Sequence, residues 1–364
     1  MIYHRFIHNT ISLAILAILI VSCNRNMGSL AEECQSGVVL VQTIEYYEMK
    51  MANGHSFFFT GSDFDKTTGD FIGFTADIDS LRPDIMYGTG FFISEDGKIA
   101  TNRHVVEGNI KEQDARKGLK KIFRALEKAL EESKEYYDIC LKNVKADIVH
   151  NPDTIKGLLE AEHDAFEFFS KKLDEVNQLL SRLKENDPND ISLAYHNDVR
   201  IAYNNTFIHT VGELKPCTIR KKSETDDLAI IQLNTKQTPE GRHIFNLSSH
   251  DMLEHYSFGE YLMRLAKTDK NKTLMMIGYN DGPDMANTNE GILVQHQIGT
   301  ITRNIAEERE VQYEIPAMPG SSGSPVINRR GQVVAINHAS ADTTSNHFNY
   351  GVKAKYLIEL IKNL

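Results

Sequence analysis

A block of helical periodicity between segments of strand-like sequence most constrains the fold of this chain. From Lys111 to about Lys184, apolar residues recur at alternating steps of three and four, and Lys, Glu and Asp fill the faces between them. This spacing puts the apolar side chains on one stripe of a helix and predicts two long amphipathic helices of the coiled-coil type. Residues 151–153 (Asn-Pro-Asp) supply turn and cap residues between the helices. We therefore expect an antiparallel helical hairpin, inserted over residues 110–190.

Both flanks of this block have the texture of β-strands. Residues 37–47 (GVVLVQTIEYY) are β-branched and aromatic, and Asp96-Gly97 joins two further strand-like runs over residues 88–102, as in a β-hairpin. More strands are predicted over 191–205, 227–233, 273–277, 292–297, 331–336 and 350–352, and a short amphipathic helix over 355–364. The composition, 41% hydrophobic and 25% charged, is that of an ordinary globular protein. The sequence therefore predicts one all-β domain over residues 37–364 that carries the helical insertion.

The N-terminus has the features of a secretory signal sequence. Residues 1–23 combine a basic Arg5 with an apolar run from Ile11 to Val21 that is too short to span a bilayer comfortably. The run ends in Ile-Val-Ser-Cys23, which resembles a bacterial lipobox. We predict a lipoprotein signal peptide over 1–23, lipidation of Cys23, and a polar tether over 24–36 that holds the protein at the membrane of the cell envelope. The alternative is an ordinary cleaved signal peptide with an incidental Cys; both place the chain outside the cytoplasm.

Charge and motif content exclude several classes of function. The net charge is −10, which argues against nucleic acid as the main partner. The sequence contains no HExxH or CxxC pattern and no GxxxxGK[ST] or GxGxxG loop, so neither a metal site nor a nucleotide cofactor is expected. Four cysteines are too few for a disulfide scaffold. Besides Cys23 they are Cys34, Cys140 and Cys217, which we expect to remain unpaired.

Three segments place chemically active residues along the chain in the order His, Asp, Ser. They are Thr-Asn-Arg-His104-Val-Val, Thr-Asp226-Asp227-Leu-Ala-Ile-Ile, and Pro-Gly320-Ser-Ser322-Gly-Ser-Pro. A serine hydroxyl is a poor nucleophile unless a base removes its proton during attack. An imidazole can be that base and can later protonate the leaving amine, while a carboxylate fixes its tautomer. Glycines let the backbone turn tightly, so that N–H groups can point at a developing oxyanion.

The blocks TNRHVV, DDLAIIQL and GSSGSPV resemble the signature blocks of trypsin-like serine proteases, in their HtrA-type and glutamyl-endopeptidase-like bacterial branch. The resemblance implies an all-β fold of two six-stranded antiparallel barrels, here with the inserted hairpin and a short C-terminal helix. It implies that His104 is the base, Ser322 the nucleophile and Asp227 the orienting acid, with Asp226 as the competing candidate. The N–H groups of Gly320 and Ser322 would form the oxyanion hole.

The resemblance also suggests where substrate binds. Residues 333–337, ending at Asn337, would pair with the substrate backbone. The position six before the nucleophile is Pro316 rather than an acid, which argues against cleavage after Lys or Arg. His338 lies close to the place where glutamyl endopeptidases carry a specificity histidine, but a small apolar primary residue, as in HtrA-type enzymes, fits better. No PDZ domain is expected after Leu364, and no Ile-Val-Gly-Gly start is present for activation by an N-terminal salt bridge.

These observations predict a serine endopeptidase that cuts extracytoplasmic proteins or peptides. Two alternatives stay open: a catalytically inactive domain that binds extended peptides by strand addition, and a chaperone-protease whose oxyanion loop is malformed until a partner binds. The helical hairpin either binds a partner near the cleft or is a solvent-exposed insertion without such a role.

Overall fold

The computed structural model describes residues 26–150, 156–247, 273–304, 308–338 and 348–364. The expected signal peptide over 1–23 and the lipidation site Cys23 lie outside these ranges. The chain divides into two compact units. The barrel unit comprises the chain up to Ile44, Ile85–Glu107 and Asn197–Leu364, and the hairpin unit comprises Glu45–Asp84 and Gly108–His196.

Six strands close the first barrel. They are β1 (Val38–Met51), β5 (Asp84–Phe92), β6 (Lys98–Thr101), β7 (Ile191–Tyr203), β8 (Lys215–Lys222) and β9 (Ala229–Leu233). Around the barrel their order is β1, β5, β6, β9, β8 and β7, which pairs with β1 again. The register places Ile231 of β9 between Ile99 of β6 and Ile219 of β8, and Ile99 and Ile231 lie in the barrel core.

The second barrel is also closed by six strands. They are β11 (Thr273–Gly278), β14 (Gln295–Asn304), β15 (Glu310–Tyr313), β16 (Pro325–Ile327), β17 (Gln332–His338) and β18 (Asn349–Lys353). Their order is β11, β14, β15, β18, β17 and β16, which returns to β11 through antiparallel pairs. A short strand β10 (Asn246–Leu247) adds to β17 in parallel. The expected pair of six-stranded antiparallel barrels is confirmed.

The remaining strands are short. They are β2 (Ser56–Phe59), which pairs with β1, the ladder of β3 (Phe64–Asp65) with β4 (Asp70–Phe71), and the ladder of β12 (Asn287–Thr288) with β13 (Gly291–Ile292).

Five helices complete the described part of the chain: α1 (Met27–Cys34), α2 (Glu112–His150), α3 (Lys156–Lys184), α4 (Gly282–Ala286) and α5 (Ala354–Lys362). The two long helices are antiparallel, since Tyr137 contacts Phe169 while the earlier Glu127 approaches the later Lys184. They confirm the helical hairpin that the periodicity predicts. None of the helices in the described ranges combines the length and apolarity needed to span a bilayer.

The structure differs from the expected polar tether over 24–36. Helix α1 begins after Asn26, whose side chain caps it by accepting a hydrogen bond from the Gly28 N–H at 3.1 Å. Met27, Leu30, Ala31 and Cys34 recur at the spacing of one helix face, and all four are buried in the main core of the barrel unit. A four-residue apolar face hidden between charged residues was too short a signal for the sequence to reveal.

The hairpin unit has its own core. The Tyr47 ring stacks on Phe59, and Phe59 contacts Phe64 and, edge-on, the partly buried Phe71. Ala115 and Leu119 of α2 belong to the same core. This unit is larger than the insertion expected over 110–190, because Glu45–Asp84 also belongs to it.

Candidate active site

His104 lies directly after β6, on a single 3-10 turn formed by Arg103–Val105. Its backbone N–H donates to Oδ1 of Asp227 at 2.9 Å, and its ring Nδ1 lies 2.5 Å from Oδ2 of the same carboxylate. Asp227 therefore holds both the backbone and the ring of His104. With Nδ1 bonded to a carboxylate, the neutral ring carries its proton there and leaves Nε2 as a hydrogen-bond acceptor.

Asp227 lies in the turn that leads into β9. The Asn102 side chain donates to the Asp227 carbonyl oxygen at 2.7 Å, which fixes the turn beside the end of β6. Burial alone would raise the pKa of the Asp227 carboxyl, but the hydrogen bond and charge of His104, the His104 N–H and the charge of His338 together lower this pKa below its ordinary value. The carboxylate is therefore ionised at neutral pH, as an orienting acid must be.

The competing candidate, Asp226, points elsewhere. Its carboxylate is nearly buried, forms an ion pair with Arg309, and accepts a hydrogen bond from the Ser223 hydroxyl at 3.0 Å. The Arg309 guanidinium also lies 4.7 Å from the centre of the Tyr356 ring. Asp226 thus anchors the turn, and Asp227 is the carboxylate that contacts His104.

Ser322 lies in a tight loop that precedes β16. Gly320 and Gly323 on either side of it have φ values of +91° and +90°, which only glycine adopts easily. A Cβ atom on Gly320 would lie 2.5 Å from the Tyr279 carbonyl oxygen, and one on Gly323 would lie 2.0 Å from the Thr89 carbonyl oxygen. Both positions therefore require glycine, because any Cβ atom would clash with a backbone oxygen and because φ is positive.

Two carbonyl groups of this loop accept backbone hydrogen bonds. The Pro319 oxygen accepts from the Asp281 N–H at 2.6 Å, and the Ser321 oxygen accepts from the Ser324 N–H at 3.0 Å. In a trans peptide the following N–H points opposite to the C=O. The N–H groups of Gly320 and Ser322 therefore point away from the Asp281 and Ser324 N–H groups that donate to the preceding carbonyl oxygens.

Thr89 of β5 joins the first barrel to the Ser322 loop. Its N–H donates to the Ser322 carbonyl oxygen at 2.8 Å, and its hydroxyl donates to the Gly320 carbonyl oxygen at 2.8 Å while accepting from the Tyr279 N–H at 3.0 Å. At the neighbouring Gly88, a Cβ atom would meet Val105 Cγ1 at 2.6 Å and the Ser322 oxygen at 3.2 Å. The residue that follows His104 and the backbone of Ser322 therefore flank the same glycine.

The Asn337 side chain supports the loop from behind. It is fully buried, and its amide donates to both the carbonyl and hydroxyl oxygens of Ser321 at 3.1 Å. The Tyr313 hydroxyl donates to its oxygen at 2.7 Å. The sequence predicts that Asn337 binds substrate, whereas in the structure its side chain bonds to Ser321 of the Ser322 loop.

The expected pairing of residues 333–337 with substrate also differs from the structure. These residues already pair with β16 on one side and β18 on the other, because the barrel is closed. Both the N–H and the C=O of Asn337 bond to residues of the Ser322 loop. A substrate strand needs an open edge, and this stretch offers none.

The other two predicted specificity residues lie in different surroundings. Pro316 is exposed, in the segment between β15 and the Ser322 loop. His338 ends β17, and its Nε2 lies 3.0 Å from a carboxylate oxygen of Glu310. Its charge also reaches Asp227, so His338 neighbours the His104–Asp227 pair.

Sequence reasoning missed the supporting residues Thr89, Asn102, Arg309 and Tyr313. A Thr between two glycines inside a predicted strand was the one available sign that Thr89 is special. In the described part of the chain, no group of three His, Cys, Asp or Glu side chains is placed to hold a metal ion. Cys34, Cys140 and Cys217 form no disulfide there.

One family model and several solved structures are similar to this chain. Residues 186–336 match the family model of the trypsin-like peptidase domain. No curated protein matches the chain.

Among solved structures, the chain is similar to an HtrA-type protease AlgW with a decapeptide (12% identity, TM-score 0.43, covering 93% of this chain and 67% of that one). It is also similar to the serine endoprotease from Yersinia pestis (10% identity, TM-score 0.42, covering 93% of this chain and 66% of that one). A third similar structure is the Rv3671c protease from M. tuberculosis in its active form (11% identity, TM-score 0.42, covering 92% of this chain and 82% of that one). It covers 63% of an AlgW variant with a tripeptide, so it spans less than two thirds of the length of some of these chains. The match to the family model of the trypsin-like peptidase domain covers less than half of the chain.

Proposed function

We propose that the protein is a serine endopeptidase that hydrolyses peptide bonds of extracytoplasmic proteins through an acyl-enzyme on Ser322. The observation that carries this proposal is the double contact of Asp227 with His104, at the backbone N–H and at ring Nδ1. A histidine of no catalytic consequence would not need its tautomer and its backbone fixed by one ionised carboxylate. The constrained Ser322 loop, joined to β5 through Thr89, supplies the serine.

In the proposed mechanism, Ser322 Oγ attacks the scissile carbonyl carbon while its proton moves to Nε2 of His104. The negative charge on the carbonyl oxygen is stabilised by the N–H groups of Gly320 and Ser322. The imidazolium, stabilised by Asp227, then protonates the amine as the C–N bond breaks. A water molecule, deprotonated by His104, attacks the ester, and the returning proton frees Ser322 as the acid product leaves.

The preferred primary residue is proposed to be small and apolar. The position expected to select Lys or Arg is Pro316, which carries no charge. His338 has a carboxylate partner in Glu310 already, which weakens its candidacy as a receptor for a substrate glutamate.

The decisive experiment labels the full chain with a fluorophosphonate probe and compares Ser322→Ala, His104→Ala and Asp226→Asn. We expect labelling of the wild type and of Asp226→Asn, and none of the other two variants. A peptide-library digest by the same samples identifies the primary residue. A folded wild type that neither labels nor cuts, yet binds extended peptides, would instead support a peptide-binding domain.

We further propose that the protein is a lipoprotein anchored in the cell envelope through Cys23. The support is the apolar run that stops directly at Ile-Val-Ser-Cys23. Metabolic labelling with an alkyne fatty acid should modify the wild type and not Cys23→Ser, and the wild type should fractionate with membranes. Equal labelling of both, or release of both into the soluble fraction, contradicts the anchor.

A further inference from the structure

An apolar cavity lies within the hairpin unit, between one end of the α2–α3 pair and strands β1 and β2. Its volume is about 430 Å³, within the range of about 300–1,000 Å³ that is typical of ligand pockets. Eleven of its fifteen lining residues are apolar. The body of a ligand that fills this cavity must therefore be apolar as well.

Several large side chains of the lining face water in part. The exposed fractions are 47% for Phe74, 47% for Leu126 and 49% for Leu179. Met49 and Met51 line the same cavity and are buried, and methionine side chains adapt to apolar ligands of irregular shape. A bound apolar group would remove this exposed surface from water, which is the main driving force for binding in such a cavity.

The cavity is long and narrow. Leu119 and Leu130 of α2 both line it. Eleven residues of helix rise by about 16 Å, so a volume of 430 Å³ gives a mean cross-section of about 26 Å². A channel of this width suits an extended alkyl chain better than a fused ring system. At about 30 Å³ for a group the size of a water molecule or a methylene, the cavity holds on the order of ten methylene groups, which is one chain and not the two of a diacyl lipid.

The polar part of the lining is concentrated in one place. The Asn53 side chain donates to Asn186 Oδ1 at 2.5 Å and accepts from the His55 N–H at 3.0 Å. The Asn186 side chain donates to the Arg182 carbonyl oxygen at 2.6 Å. These are the four polar lining residues, and they are neighbours. One polar region on an otherwise apolar wall is the arrangement that an amphiphile needs.

A second cavity adjoins the first at this polar region. Its volume is about 340 Å³, and Phe123, Leu183 and Asn186 line both cavities. Among the residues that line only the second cavity, three are basic and two are acidic. An alkyl chain in the first cavity would therefore have its polar head beside the charged lining of the second.

Both acidic residues of the second cavity already have partners. Glu127 lies 3.8 Å from the Lys184 ammonium group. Asp187 accepts from the Asn189 N–H at 2.8 Å and from the Asn189 side chain at 2.7 Å. These hydrogen bonds, together with the charge of Lys120, lower the pKa of the Asp187 carboxyl. The carboxylates and two of the three basic residues of this cavity thus compensate each other.

Arg124 of the second cavity and Arg182 of the first supply the remaining positive charge. Within the described ranges, neither guanidinium forms an ion pair, and both side chains are exposed. A guanidinium binds a carboxylate through two parallel hydrogen bonds. We infer that the hairpin unit binds a medium-chain fatty acid, whose alkyl chain fills the apolar cavity and whose carboxylate lies near Arg124 and Arg182.

Photo-crosslinking tests this site in the full chain, held in nanodiscs of a zwitterionic phospholipid. The probe is dodecanoate with a diazirine in its alkyl chain. We expect saturable labelling that mass spectrometry maps to residues 119–130 and 179–186. Unlabelled dodecanoate should compete, and dodecyltrimethylammonium, with the same chain and the opposite charge, should compete about tenfold less well. Labelling that does not saturate, that maps elsewhere, or that both compounds suppress equally overturns the inference.

A pair of arginine variants tests the charged end of the site. Arg124→Gln with Arg182→Gln should weaken dodecanoate binding by about tenfold and leave competition by the uncharged dodecanol unchanged. The control, Lys128→Gln with Lys171→Gln, removes the same charge from exposed positions that line neither cavity and should bind dodecanoate as the wild type does. Equal weakening by the two pairs would show only general attraction of an anion to the hairpin, and would also overturn the inference.

The apolar end is tested at two half-exposed leucines. Leu126→Gln with Leu179→Gln should weaken dodecanoate and dodecanol alike, with helix content unchanged by circular dichroism. Unchanged binding of both compounds by this folded variant contradicts the site. A last comparison, in Ser322→Ala so that no peptide is cut, sets dodecanoate against an apolar peptide with a free C-terminal carboxylate. Stronger competition by the peptide would assign the cavity to a peptide and rule out the fatty acid.

Discussion

Thr89 is the residue whose side chain couples β5 to the Ser322 loop. Its hydroxyl bonds both the Gly320 carbonyl oxygen and the Tyr279 N–H, and it is fully buried. Thr89→Val keeps the shape and leaves both partners unpaired, which should destabilise the fold by about 1–3 kcal/mol and reduce acylation of Ser322. Urea unfolding and the rate of fluorophosphonate labelling measure the two effects.

Thr89→Ser is the matched control, since it keeps the hydroxyl and loses one methyl group. It should retain most of the labelling rate. Equal loss in the valine and serine variants would show that packing of the methyl group, not the hydrogen bonds, fixes the loop.

Gly320 carries a second prediction at this scale. An added Cβ atom would lie 2.5 Å from both Tyr279 O and Gly282 N, at a φ of +91°. Gly320→Ala should therefore displace the Gly320 N–H and lower the rate of peptide hydrolysis by about 10²–10³-fold, the effect of removing one oxyanion donor. Substrate KM should change little. Steady-state kinetics with the best library peptide separates the two parameters, and an unchanged kcat would remove Gly320 from the proposed hole.

The three residues that the sequence predicted as a catalytic triad share one property: each belongs to a short local motif. His104, Asp227 and Ser322 stand in recognisable blocks, and the structure brings the first two into contact. Thr89 and Asn337 act on the loop through contacts set only by the closed barrels. No local pattern shows that a threonine in β5 will meet Gly320, 231 positions away along the chain.

Among the secondary-structure elements, those with long periodic sequence were predictable. Helices α2 and α3 and strands β1 and β7 follow their hydrophobic patterns within a few residues. Strand β8 (KPCTIRKK) is largely charged, and β15 and β16 have only four and three residues. Their strand conformation comes from neighbouring strands in the barrels, so tertiary pairing outweighs local preference.

Glu45 of β1 gives a prediction for the hairpin unit. Its carboxyl is buried and hydrogen-bonded to the Tyr195 hydroxyl of β7. Burial raises the pKa of Glu45, reinforced by the charge of Asp84 and opposed by the Tyr195 hydrogen bond. A folded-state pKa above the unfolded value means that stability is complete below the ordinary pKa of 4.5 and declines as pH rises through the folded-state pKa.

Glu45→Gln removes this ionisation and can still accept the Tyr195 hydrogen bond. We expect its thermal midpoint to exceed that of the wild type by a few degrees at pH 7, and the two midpoints to converge at pH 4. Scanning calorimetry at both pH values provides the comparison. A lower midpoint for Glu45→Gln at pH 7 would mean that the ionised carboxylate stabilises the unit.

On the scale of the whole molecule, the described part of the chain holds four hydrophobic cores. Three are drawn entirely from the barrel unit, and the fourth belongs entirely to the hairpin unit and includes Ala115 and Leu119. The outer hairpin, residues 132–174, contributes no described residue to any of these cores. Its removal should therefore leave the cores of the proposed protease intact.

Replacing residues 132–174 by a short Gly-Ser bridge tests this separation. We expect unchanged fluorophosphonate labelling and a nearly unchanged unfolding midpoint. Deleting 112–187 should instead unfold the hairpin unit, because it takes Ala115 and Leu119 from its core, at a cost of about 2–5 kcal/mol for the leucine alone. Loss of labelling in the shorter deletion would show that the outer hairpin supports the active site.

The position of the insertion has a consequence for the order of folding. Strands β6 and β9 are sheet neighbours, yet the entire hairpin lies between them in the chain. Its ends are tied together, since Arg116 donates to the Ile191 carbonyl oxygen at 3.2 Å and Glu112 accepts from the Leu193 N–H at 3.4 Å. Helical contacts between sequence neighbours form within microseconds, long before distant strands pair.

A hairpin that forms first shortens the stretch of flexible chain that the barrel must close, and so lowers the entropy lost on closure. Pulse-labelled hydrogen exchange should then find the amides of α2 and α3 protected before those of β6 and β9. During synthesis, the folded hairpin would then hold β6 and β9 close together, and with them the adjoining His104 and Asp227.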